Sequence, residues 1–209
     1  MDAGNVSAII SAAAGITGVL LGNAFVWAKE WGAARRRDER EISYAGILLI
    51  SHLDRLATEC LEVARDDGTR HGQPAGEGGE WQTVTTVPIF NPLDIDINWK
   101  LLPKDLMYSI LRIPDFQDKL HGKLSAIHEY NYDPPDHPEF FWTRQRGYAA
   151  LGLEVSKIIS RLAKFAGLPE EKVAPGEWSR DQDLEQRVRD LDELERRARG
   201  HKLGWSVSA

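Results

Sequence analysis

Apolar residues recur along most of this chain at intervals of three and four, the spacing that collects them on one face of an α-helix. Ile42, Gly46, Leu49, Leu53, Leu56, Cys60 and Val63 form one such seam at heptad a/d positions. It is closed by "DDG" at 66–68, where Gly68 suits a left-handed stop. In "LPKDLMYSILRIPDFQDKLHGKLSAIHEYNY", Pro103 and Pro114 each suit the start of a helix, so the spacing predicts a short helix followed by a longer one. Ile113, Phe116, Leu120, Leu124 and Ile127 are the expected core face of the longer helix. The third seam is the most regular. Phe141, Arg144, Tyr148, Leu151, Val155, Ile158, Leu162 and Phe165 keep strict heptad spacing, and "AGLP" ends it with Gly167 as the stop.

Between the first two helices lies a long insertion, residues 67–98. Its "GTRHGQPAGEGGE" half is glycine-rich and expected to be mobile. "WQTVTTVPIF" has β-type composition, but Pro88 restricts it to an edge strand or an extended cover over the bundle. The C-terminal "SRDQDLEQRVRDLDELERRARG" starts with a capping box of Ser179 and Gln182. It carries a narrow seam of Leu184, Val188, Leu191 and Ala198 among dense charges of both signs, the pattern of a solvated helix.

The opening of the chain follows a different pattern. No charged residue occurs from Ala3 to Ala28, a run longer than the roughly 20 residues a helix needs to cross a bilayer core. Trp27 and Trp31 follow at interfacial depth, then the basic residues Lys29, Arg35, Arg36 and Arg37. The positive-inside rule then places the N-terminus outside and the remainder in the cytoplasm. Strong membrane formers are few, and at about −0.3 to −0.6 kcal/mol each they sum to only roughly −3 to −5 kcal/mol. Asn23, Thr17, the serines and the glycines reduce that sum. At about 100° per residue Gly15, Gly18 and Gly22 share one small-residue face with Ser7, Ser11 and Ala14, suited to close pairing with a second membrane helix. The first bundle helix is expected to continue from this segment, with Gly32 the place for a bend.

Composition narrows the picture further. At 42% hydrophobic and 28% charged the chain is globular, and a net charge of −6 argues against a nucleic-acid partner. Cys60 is the single cysteine, so no intramolecular disulfide forms; on an apolar seam it reads as an inert core residue.

Candidate chemistry is sparse. "DIDIN" at 94–98 imitates the start of a calcium loop, but Trp99 stands where glycine is required and Asp105 where glutamate is. His121 and His128 are seven residues apart, about 10 Å along a helix, too far to share a metal. No metal or cofactor site and no catalytic residue is therefore expected. Arg144 alone breaks its own seam, since a guanidinium at an apolar position must meet a carboxylate or reach water. Asp133 and Asp136, with Glu129, lie near it in sequence, among Tyr130, Tyr132, Phe140, Phe141 and Trp142.

The expectation is an all-α protein in three parts. Residues 1–30 are a single transmembrane anchor, and 31–170 a cytoplasmic antiparallel bundle of three or four helices with the insertion at 67–98. Residues 171–209 are a charged helix and tail. That describes a single-pass protein of the bacterial inner membrane, a tethered interaction or scaffold module rather than an enzyme. Its partners are the lipid bilayer, a protein yet to be identified and a second copy through the membrane helix. The alternative is a bundle-based enzyme or small-molecule sensor with a pocket near Arg144 and the 129–142 turn. A phage-like pore or lysis protein fits less well, because the large polar portion has no use there.

Overall fold

The computed structural model describes the backbone of residues 3–131, 133–169, 174 and 176–205; within these, the side chains of 3–26, 28, 34 and 198–205 lie outside the description. With 73% of the chain helical and, among the described residues, only two two-residue strands, the protein is all-α. The helices are α1 (Ala3–Arg65), α2 (Lys104–Leu111), α3 (Ile113–Tyr130), α4 (Pro138–Ala166) and α5 (Arg180–Trp205). The chain divides into two compact units, Met1–Tyr44 and Ala45–Ala209.

In the first unit the helix passes through Gly32 without ending there. Trp27 and Trp31 are 68% and 58% exposed. They stack at 6.3 Å with their planes 8° apart, as one-turn spacing on a helix allows, and the Arg35 guanidinium lies 5.8 Å from the Trp31 ring. Arg35 pairs with Glu39 and Arg37 with Glu41 along the exposed helix surface. Among the described residues no helix is long and apolar enough to cross a membrane. The expected anchor at 1–30, with the packing face of Gly15, Gly18 and Gly22, falls mostly on residues whose side chains lie outside the description.

The second unit is a helical bundle built on the heptad seams. Leu49, Leu53, Leu56, Cys60 and Val63 of α1 share one core with Tyr148, Leu151, Val155, Ile158 and Leu162 of α4. α1 and α4 run antiparallel: Gly46 faces Ala166 near one end, Gly152 faces Cys60 further along, and Asp66 meets Arg144 at the other. α2 and α3 close a second side of this core with Leu106, Ile110, Ile113 and Leu124. Phe116 departs from the expected core face. It is 47% exposed and lies under the Arg112 guanidinium, because the core side of α3 at that turn is taken by Ile113 and Gln117.

α5 is more than a solvated helix. Leu184 and Leu191 are buried, Leu184 in a small second cluster with Leu61, Ala64 and Ala149. Arg65–Asp183, Arg146–Asp192 and Arg180–Asp54 ion pairs flank that seam. At its start the Ser179 hydroxyl accepts from the Gln182 N–H at 3.4 Å, the cap expected from the sequence.

The insertion also differs from expectation in its first half. "TRHGQP" folds into a hairpin of β1 (Thr69–Arg70) and β2 (Gln73–Pro74), with His71 and Gly72 both at positive φ, the backbone of a twist-matched two-residue turn. The "WQTVTTVPIF" half forms no strand and lies as an extended cover, with Pro88 and Phe90 buried. The Gln117 amide of α3 holds it by donating to the Pro88 carbonyl at 2.7 Å and accepting from the Phe90 N–H at 3.3 Å.

Candidate functional site

Where α1 ends, a carboxylate and a guanidinium meet out of water. Asp66 and Arg144 pair at 2.9 Å, with side chains 1% and 2% exposed. Asp66 Oδ2 accepts from the Val84 N–H, the Thr85 N–H and the Thr85 hydroxyl, each at 2.8 Å, as well as from Arg144 Nη1. Its Oδ1 accepts from the Gly68 N–H at 3.0 Å. Arg144 Nη2 donates to the Thr85 carbonyl at 2.8 Å and to its hydroxyl oxygen at 3.0 Å. Three segments are thereby tied: the C-terminal end of α1, the extended cover and the second turn of α4.

Burial alone would raise the Asp66 carboxyl, but donation from Thr85 (backbone and hydroxyl), Gly68 and Val84 outweighs it and holds the group below the usual carboxylate range. With five donors on its carboxylate Asp66 is a poor base, and Arg144 has both terminal nitrogens engaged. Such a pair fixes structure and offers nothing to a substrate. Nearby, burial first and the Glu59 charge second push the Cys60 thiol up to about 12, Arg180 opposing, so Cys60 is no nucleophile.

Of the two outcomes open to it Arg144 meets a carboxylate, but the partner is Asp66, distant in sequence, and not Asp133 or Asp136. Those two are exposed on the turn before α4. Asp66 was missed because "DDG" reads as a helix stop. One signal was present: an aspartate just past a helix C-terminus sits against the negative end of the helix dipole and calls for a compensating donor set.

The 129–142 turn nonetheless borders a pocket of about 580 Å³. Trp81, Phe140, Phe141 and His128 line it, with His137, Glu77 and Glu80. The Trp81 N–H donates to the Pro135 carbonyl at 2.9 Å, which fixes the insertion to the turn. Gln82 and Thr83, also in the wall, lead directly into the Asp66–Arg144 knot. His137 sits in the left-handed region at φ 42 as the N-cap of α4. A larger groove of about 960 Å³ runs along α1, α4 and the start of α5, walled by Ile47, Ile159 and Trp178. Its charged groups are bound to one another, Arg180 donating to Asp54 and Asp181 and to the Ser156 hydroxyl. Among the described residues no cluster of His, Cys, Asp or Glu could hold a metal ion.

The expected interfacial residues Trp27, Lys29, Trp31, Arg35, Arg36 and Arg37 are all exposed on the first unit. Fold and site together define an all-α bundle whose buried ion pair pins a long insertion across its end. Comparison with known proteins finds no matching family model, no matching curated protein and no matching solved structure.

Proposed function

We propose that this chain is a membrane-tethered interaction module: an N-terminal helical anchor in the bacterial inner membrane, its N-terminus outside, carrying a cytoplasmic helical bundle that presents surfaces to a protein partner. The exposed, stacked Trp27–Trp31 pair carries this proposal. Two large indoles left in water on one helix face are an unfavourable arrangement, whereas the headgroup region of a bilayer accommodates their apolar faces and N–H groups together. The uncharged run before them and the arginines after them fit the same placement. Gly15, Gly18 and Gly22 give the anchor a face for pairing with a second copy or another membrane helix.

A binding role is favoured over catalysis because the bundle's buried charges are spent on one another. The test is extraction of the full-length protein from bacterial membranes or liposomes with alkaline carbonate. It is expected to remain in the pellet, and a variant lacking residues 1–30 to be released. Release of the full-length chain in the same wash defeats the proposal.

A further inference from the structure

The pocket beside the 129–142 turn has a wall of four rings that meet edge to face. His128 and Phe140 are 6.3 Å apart at 62°, Phe140 and Phe141 5.4 Å at 88°, and Phe141 and Trp81 6.3 Å at 64°. Rings inclined at 62° to 88° are set at angles around the wall and not in one stack, and an aromatic wall of this kind attracts a positive charge wherever a ring face meets the cavity. The charged residues of the lining agree. Glu77 and Glu80 are present beside two histidines, His128 and His137, no lysine or arginine is, and neither carboxylate has an ion-pair partner among the described residues. The positive end of α4 also abuts this site, but Glu139 in its first turn offsets that partial charge.

We infer that this pocket binds a compact organic cation, an alkylated ammonium group seated against Trp81 and Phe140 with Glu77 and Glu80 as counter-charges. The pocket is held in shape before any ligand arrives. The Trp81 backbone is fixed to the Pro135 carbonyl, Phe141 fills the space above Gly68, and the extended wall segment continues into the Asp66–Arg144 knot. At about 580 Å³ it has room for more than the ammonium head alone. This inference is independent of the membrane tether and stands or falls separately.

The test is calorimetric titration of the full-length protein with choline chloride and with 3,3-dimethylbutan-1-ol, the uncharged carbon analogue of the same shape. Choline is expected to bind with a Kd of about 1 mM and the neutral analogue about tenfold more weakly, the usual scale for a cation–π site with carboxylate support. The double variant Glu77→Gln, Glu80→Gln changes exposed residues and keeps the fold, and it is expected to weaken choline about fivefold while leaving the neutral analogue unchanged. Trp81→Leu is expected to abolish the preference for the cation. Equal binding of the two probes overturns the inference, as does choline affinity unchanged in the double glutamine variant. So does absence of any choline binding by about 100 mM, a concentration that would saturate a site of this class.

Discussion

Replacing Arg144 with methionine keeps most of the side chain's length and removes its charge, leaving the Asp66 carboxylate buried without its cation. Breaking one side of a buried pair costs about 3–5 kcal/mol, a large share of the roughly 5–15 kcal/mol by which a domain is stable. Asp66 matters more than its partner here, because it also accepts from Gly68, Val84 and Thr85. Asp66→Ala is therefore expected to cost more than Arg144→Met. The doubly apolar variant Asp66→Leu, Arg144→Met is not expected to recover stability, since the three backbone N–H groups stay without acceptors. Urea unfolding of each full-length variant followed by far-UV circular dichroism measures these differences. The pH dependence supplies a second check. Asp66 is held below the usual carboxylate range, so the stability it contributes is complete above its unfolded value of about 3.9 and is lost as pH falls through the lower folded value. The gap between the natural protein and Asp66→Asn should accordingly be constant near neutrality and shrink below about pH 4. A cost for Arg144→Met under about 1 kcal/mol, the scale of a solvated surface pair, refutes the assignment of a buried knot.

Three further outcomes rest on the packing. A Cβ on Gly46 would lie 2.5 Å from the Ala166 Cβ, so Gly46→Ala is expected to destabilise despite its better helix propensity, while Gly122→Ala, with nothing within 4 Å, should stabilise. The expected sizes are a net loss of about 1–2 kcal/mol for the first and a gain of about 0.5–1 kcal/mol for the second, read from the same urea curves. Cys60, fully buried and with its thiol pushed up to about 12, is expected to resist a thiol reagent at pH 8 in the folded protein and to react on unfolding; prompt reaction in the native state would contradict its placement.

Helices were legible wherever a long apolar seam ran with one period. Every α4 seam residue from Phe141 to Leu162 is buried, and Gly167 ends the helix in the left-handed conformation at φ 65, as "AGLP" implied. Short-range chemistry was equally legible, for instance the Ser179 cap and the proline start of α3. Phe116 was misread because periodicity names a face without saying what occupies the opposite side. At that turn Gln117, a polar residue, takes the inward place to bind the extended cover. The course of the extended cover was legible only in outline for a related reason: it is held by the side chains of Asp66, Gln117 and Arg144 and not by a period of its own.

By itself the chain determined its helices, their ends, the uncharged opening with its tryptophans and arginines, and the demand that Arg144 find a carboxylate or reach water. Those are properties of local backbone preference and of single side chains, and they need no neighbour distant in sequence. Only the folded bundle decided that the carboxylate is Asp66, that Thr85 completes the knot, and that Trp81 joins Phe140 and Phe141 around one pocket. Contacts across 78 residues depend on which helix faces close on which, and many pairings satisfy the same alternation of apolar and polar positions.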